Sequence, residues 1–274
     1  MGDIDDRMKM YESKEAGRRF MPLLPVCALL DGKCFSKFTK GLERPYDDRM
    51  TTLMQSVTRF LVAETCASMG YTQSDEITLV WYSSSVKSQI FYDGRIQKMT
   101  SVLSAMATAK FNRLLPSILP EKSDEFPLFD CRTWQVPTLA EGANVFLWRE
   151  LDATRNSVEM AAHHYYSPKE CFKKNSSQLQ DMLMEKGVNW NGYPAYFKRG
   201  TFYQRHKKLK AFSTEELEKL PAKHKTKNNP DLLVERTCVS RMDMPIFSKV
   251  ANRMDVVFNG ADPYVMGTGG CFAV

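Results

Sequence analysis

Two acidic positions carry the residue types needed for phosphoryl chemistry: Asp31, at the end of LLPVCALLDG, and Asp75-Glu76, inside ASMGYTQSDEITLVWY. Taken singly, each reads as turn chemistry, Asp31-Gly32 closing a strand and Asp75 capping a hairpin. Taken together in one sheet they allow a second reading. Like charges a few ångströms apart need a cation between them, and an oxygen-only ligand set suits Mg²⁺, which keeps several waters and is shared with substrate phosphates. Two such ions can activate an attacking oxygen and stabilise the leaving one in a displacement at phosphorus. Gly32 fits this reading, because a residue without Cβ lets the backbone carbonyl beside Asp31 approach a metal or nucleotide. On these residues alone, the turn and the metal pair both stay open.

Cations accompany the acids. Arg95 and Lys98 stand at i and i+3 in GRIQKM, where a helix N-terminus flanked by Arg and Lys offers a seat for a triphosphate; the same pair also reads as a solvated helix face. Arg44 and Arg49 flank the start of an earlier helix and can reach the same phosphates, although Arg49 can equally pair with Asp47 or Asp48. Farther on, Lys198, Arg199, Arg205, Lys207, Lys208 and Lys210, interleaved with Phe197, Phe202 and Tyr203, can track an RNA backbone or line a solvated strand. The adjacent His163 and His164 point to different sides of a helix, which favours a structural or surface role over joint metal binding.

The elements that must position these residues follow from periodicity and breakers. The run from Leu23 predicts a buried strand with Pro25 at its start. Met50, Leu53, Met54, Val57, Phe60 and Leu61 predict an amphipathic helix with Asp47 or Asp48 as N-cap. ASMGYTQ and EITLVWY predict a hairpin turning at Gln73, Ser74 and Asp75. Met99, Val102, Leu103 and Met106 predict a second helix ended by Pro116, and FPLFDCRTWQVP another strand. Strand, helix, strand, strand, helix, strand is the split βαβ order of an α+β, ferredoxin-like domain, with helices on one face and the other face open. We therefore expect a catalytic domain over residues 1–138. A C-terminal mixed extension over 139–274 is expected to carry helices over LAEGANVFLWRELDATRNSVEMAAHHYYS and Ser176–Lys186, the basic tract, a surface excursion with a Ser213/Glu216 capping box, and a poorly ordered Gly-rich tail.

Composition bounds the class. The chain has 274 residues, 43% hydrophobic and 26% charged, with 38 Lys+Arg against 32 Asp+Glu and a net charge of +6. That excludes global disorder, collagen and coiled coil, and it permits a polyanionic partner without naming one. Seven scattered cysteines without CxxC or zinc-type spacing predict free thiols. With a charged N-terminus and no long apolar run, the expected location is cytoplasmic, with no membrane insertion.

LLDGKCFSKFTKG, RPYDDR, GYTQSDEITLVW, GRIQKMTSVLSA and FDCRTWQVP, in that order, resemble the blocks of the tRNA-histidine guanylyltransferase family and its Thg1-like relatives, the 3′-to-5′ polymerases. The resemblance implies a polymerase palm holding two Mg²⁺ ions at Asp31, Asp75 and the Gly32 backbone, with Glu76 assisting catalysis. It implies ATP, GTP or other nucleoside triphosphates contacted through Gly32, Lys33, Phe35, Arg44, Ser74, Arg95, Lys98 and Ser101. It implies tRNA as partner, bound in part by Lys198, Arg199, Arg205, Lys207 and Lys208, and a homotetramer built as a dimer of dimers. The activity implied is Mg²⁺-dependent addition of nucleotides to a tRNA 5′ end after its activation. Where the guanylyltransferases carry a HINNLYN-type motif, this sequence has Thr154-Arg155-Asn156-Ser157-Val158. That departure is typical of the Thg1-like branch and favours templated repair of 5′-truncated tRNA over G−1 addition to tRNA-histidine. A nucleotide cyclase, for which QSDE is a poor hairpin motif, and a non-catalytic RNA-binding module are the rival readings.

Overall fold

In the computed structural model, which describes residues 2–221, 229 and 232–266, the predicted strands and helices follow one another in the expected order. A charged helix α1 (Gly2–Ala16) leads into β1 (Val26–Gly32), the single turn α2 (Phe35–Phe38) and α3 (Asp48–Thr65). Then come β2 (Met69–Gln73), β3 (Glu76–Trp81), α4 (Ile96–Ile118) and β4 (Phe129–Gln135). The C-terminal region contributes α5 (Leu139–Tyr165), α6 (Pro168–Cys171), α7 (Ser176–Glu185), α8 (Ala195–Arg199), β5 (Thr201–Ala211), α9 (Thr214–Lys219), β6 (Leu233–Arg241) and α10 (Arg253–Phe258).

All six strands join one antiparallel sheet in the order β4-β1-β3-β2-β5-β6. The first four places are those of the ferredoxin-like order, so β1 is central with β3 beside it. The last two belong to the C-terminal region, which completes the sheet. Alternation along β1 sends Val26, Ala28 and Leu30 into a core roofed by α3 and α4, and Cys27 into a second core on the opposite side. Asp31, in phase with Cys27, therefore belongs to the second side.

That second side corrects the expectation of an open face. It is covered by α5 and α10, whose Ala143, Phe146, Val256 and Val257 pack with Phe247 on Met69, Tyr71, Val80 and Phe202. The sequence predicts the long helix as a helix, but not as the sheet's second cover. α3 is capped as predicted: Asp47 accepts from the Arg49 amide at 2.9 Å. α4 runs two residues beyond Pro116, because a proline in the last turn forfeits one hydrogen bond without breaking the helix. The Ser213/Glu216 capping box opens α9, while most of the loop after it, and the tail beyond Met266, lie outside the described residues. The six described cysteines are free, and among the described residues no helix is long and apolar enough to cross a membrane.

Candidate active site

Antiparallel register brings the acids together. β1 pairs with β3 through Leu30–Ile77 and with β4 through Asp31–Asp130. One step beyond Leu30–Ile77, Asp31 faces the position of Glu76, and the Ser74-Asp75 turn closes the hairpin at the same end. Burial raises the Asp31 carboxyl above its ordinary range, and the charge of Asp130 raises it further. Asp75 is raised by burial and by Asp31, against a 3.0 Å hydrogen bond from Ser74 Oγ that favours the carboxylate. Partly buried carboxylates this close repel one another, and a bound cation would relieve that repulsion.

One strained residue and one close contact hold this end in shape. Ser74 takes φ 54°, the left-handed region that non-glycine residues rarely occupy and that costs on the order of 1 kcal/mol. Gly32 is required sterically: a Cβ there would stand 2.3 Å from the Phe35 ring. That ring belongs to an aromatic cluster with Phe38, Phe111 and Phe129. The D-G-x-x-F spacing thus reflects packing as well as carbonyl access. Phe35 is a core residue at the margin of the site, and Lys33 is exposed, its amide bound to the Leu128 carbonyl at 2.8 Å.

Glu76 shares the sheet face of Asp31. It is paired with Arg149 of α5, which also bonds Asp152 at 3.1 Å. Burial raises the Glu76 carboxyl, Arg149 opposes that rise, and the charges of Asp31 and Asp75 add to it. Arg149, Glu150 and Asp130 were not singled out from the sequence. The available signals were the WRELD run, which puts Arg149 and Asp152 at i and i+3 on one helix face, and FDCR, whose Asp130 alternates onto the face of Asp31.

Two cavities meet at the hairpin turn. One, of about 320 Å³, lies between the β1–α3 connection and α8 and is lined by Phe35, Arg44, Tyr46, Thr51, Tyr196 and Thr201 among others. The second, of about 600 Å³, extends toward α5 and is lined by Glu76, Asn156, Glu159, His163 and His164. Arg44, Gln73, Ser74, Asp75 and Met160 form their common wall. His163 and His164, expected to be structural or surface residues, therefore face the same space as Asp75. Arg49 does not reach it, being paired with Asp47 at 2.8 Å and Glu121 at 2.7 Å.

Arg95, Lys98 and Ser101 do not join this constellation within one chain. α4 runs antiparallel to β4, and Thr100 meets Thr133 at 2.9 Å, three residues along β4 from Asp130. The start of α4 therefore lies roughly 15 Å or more from Asp31 along the sheet. Lys98 rests on the Tyr92 ring there, and Ser101 Oγ bonds its own helix. The basic tract is also divided. Lys198 stacks on Trp190 and donates to the Asn191 carbonyl at 2.6 Å, Arg199 faces buried Glu150 at 3.6 Å, and Lys207 pairs with Glu235 at 2.7 Å. Arg205 and the exposed Lys208 keep no such partner among the described residues.

Among the described residues no three His, Cys, Asp or Glu side chains form a ready-made cage. Asp31, Asp75 and the Gly32 carbonyl nonetheless make an all-oxygen donor set whose two carboxylates repel one another. That set fits Mg²⁺ bound together with substrate phosphates.

The geometry agrees with what the chain resembles. Residues 5–137 match the family model described as Thg1, tRNAHis guanylyltransferase. The tRNA(His) guanylyltransferase of Schizosaccharomyces pombe is 27% identical over 234 residues, 78% of this chain and 87% of that protein. A bacterial tRNA(His) guanylyltransferase (Thg1)-like protein solved in complex with ATP is 30% identical, with a TM-score of 0.74 over 93% of this chain and 99% of that one. A bacterial Thg1-like protein in complex with GTP is 28% identical, with a TM-score of 0.68 over 90% and 94%. The ordered motifs, the palm they build and this full-length likeness place the chain in the tRNAHis guanylyltransferase (Thg1) family, a family of nucleotidyltransferases that act on tRNA.

Proposed function

We propose that the protein is a Mg²⁺-dependent 3′-to-5′ nucleotidyltransferase that adds templated nucleotides to 5′-truncated tRNA after activating the 5′ end. The observation that carries the reading is the pair of cavities sharing one wall at Arg44, Gln73, Ser74 and Asp75. Such a wall lets a nucleotide in one space meet an RNA 5′ end in the other, which is the proximity both activation and addition need. ATP-bound and GTP-bound bacterial relatives support nucleoside triphosphates as substrates.

In this mechanism Asp31, Asp75 and the Gly32 carbonyl hold Mg²⁺, which when bound supplies charge neutralisation and Lewis acidity at the reacting phosphate. Arg44 reaches both cavities and is suited to holding phosphate oxygens, and the Ser74 hydroxyl orients Asp75. Arg149 holds Glu76 in a fixed, charged arrangement against α5. No protein nucleophile is required, since positioned charge carries most of the catalysis in phosphoryl transfer. Assembly as a dimer of dimers belongs to the same reading. Thr154-Arg155-Asn156-Ser157-Val158 on α5, where G−1-adding relatives carry their motif, favours repair over G−1 addition.

Incubation with ATP, labelled nucleotides and a tRNA lacking its first nucleotide should lengthen the 5′ end by the templated base. Asp31→Ala and Asp75→Ala should each lower the rate by about 10³-fold or more, the scale of a lost charge-stabilising group. Normal extension by either variant overturns the metal assignment. Addition of G to intact tRNA-histidine with no repair of truncated tRNA would select the alternative activity, and cyclic product from nucleotide alone would select a cyclase.

A further inference from the structure

Along the outer side of α3 runs a groove of about 1170 Å³ that none of the predicted site residues except Tyr203, Arg205 and Lys210 touches. Its floor is α3 between Thr52 and Cys66, about 21 Å of helix. One wall is the second half of α4, and the other is the β5–β6 hairpin. Every charged residue among those lining it is a cation: Arg59, Lys110, Arg205 and Lys210. Elsewhere on the same hairpin, Lys207 and Arg236 are neutralised by Glu235 and Glu216. The four groove cations have no such partner among the described residues, which leaves them available to an external anion. Lys110 lies 5.1 Å above the Phe60 ring, and hydroxyls of Ser56, Thr237 and Ser240 line the same space. Cations, hydroxyls and a partly exposed aromatic are the groups that bind a sugar–phosphate backbone.

The groove also opens beside the site. Thr52 lines the groove and Thr51 the smaller cavity, and Gln55 of the groove donates to Thr201 of that cavity at 3.0 Å. The groove thus lies next to the site, on the other side of α3.

We propose that this groove holds the backbone of the RNA substrate, with Arg59, Lys110, Arg205 and Lys210 binding its phosphates. The inference rests on the reading that the enzyme acts on RNA and adds where that RNA lies. It moves the RNA surface from the tract beginning at Lys198 to a groove built jointly by α3, α4 and β5–β6.

The test measures binding of a fluorescent tRNA transcript to the full chain over a salt series, with ATP binding, thermal melting and assembly size recorded in parallel. Arg59→Glu and Lys210→Glu should each weaken tRNA binding about tenfold or more, leaving ATP binding and melting unchanged. Arg59→Gln and Lys110→Gln should lower the slope of log affinity against log salt by about 0.7–0.9 for each phosphate that is no longer neutralised. Wild-type tRNA affinity and slope in all four variants would overturn this inference alone. A wild-type protein that binds ATP but no RNA would overturn it together with the functional reading. A change in assembly size with unchanged RNA affinity would assign the groove to a second copy of the chain and also overturn it.

Discussion

On the α3/α4 face of the sheet the buried side chains are almost all hydrocarbon and aromatic, from Val26 and Leu30 to Leu103, Phe111 and Phe129. Its buried Thr58 and Thr65 bond only the carbonyls of their own helix. On the α5 face the packing carries Arg149, Glu150 and Gln204 at 6% exposure or less, beside the face onto which Asp31 and Glu76 project. A hydrocarbon face is stabilised by area and shape, and it tolerates substitutions that keep volume. A face with buried charges is stabilised only while every partner is present, and it keeps those charges in fixed positions. The acids proposed to do the chemistry lie on the second kind of face, where neighbours in α5 can orient them.

The sharpest way to break this comparison is Arg149→Met. It leaves Glu76 and Asp152 without their shared cation and should cost about 3 kcal/mol, the lower end for breaking a buried pair because Glu76 keeps 27% of its side chain exposed. Activity of the remaining folded protein should fall as well, since Glu76 loses its anchor. Adding Glu76→Gln should restore part of the stability in urea titrations without restoring activity. Equal stability of Arg149→Met and wild type would remove the buried network from the account. The matching change on the other face is Leu103→Ala, which creates a cavity in a fully buried position and should also cost about 3 kcal/mol. Extension per folded molecule should be unchanged, and a large loss there would show that the α3/α4 face also positions the chemistry.

The difference between the faces also explains what the sequence revealed. α3 and α4 are legible because each buries one stripe in hydrocarbon and keeps a period of 3.6, and β1, β2 and β3 because burial on both faces leaves short extended runs bounded by turn residues. The Asp31–Asp75 pairing follows from that topology and the turn position. The outer half of β5, from Lys207 to Ala211, is exposed on both sides and held by ladder bonds to β6, so no alternation marks it as a strand. Arg149 and Glu150 read as ordinary helix charges until the sheet partners across from them are known. Residue chemistry and the family resemblance group Arg95 and Lys98 with the acids, whereas strand–helix alternation puts the start of the second helix at the opposite end of the sheet. The closed second face depends on packing between Ala143–Phe146 and Val256–Phe258 across more than a hundred residues, a separation that local pattern does not encode.

The smallest predicted effect sits where the two regimes meet, at the N-cap of α3. Burial works against an ionised Asp47, but the Arg49 side chain and the amides of Glu43, Arg49 and Met50 outweigh it, so the carboxyl is held below its usual range. A group whose folded pKa is depressed stabilises the fold above its unfolded pKa of about 3.9, and that contribution is lost as pH falls through the lower folded value. Asp47→Ala should therefore cost about 1 kcal/mol at neutral pH, the usual value of a lost cap. The gap to wild type should begin to narrow below about pH 4, as the unfolded chain takes up the Asp47 proton, and shrink further as pH falls through the lower folded value. Urea midpoints measured across that range decide the point. A gap that stays constant into acid would mean that cap geometry alone, without the ionised Asp47–Arg49 pair, fixes the start of α3. In that case Asp47 would follow the rules of the hydrocarbon face, and buried charge would be confined to the α5 side of the sheet.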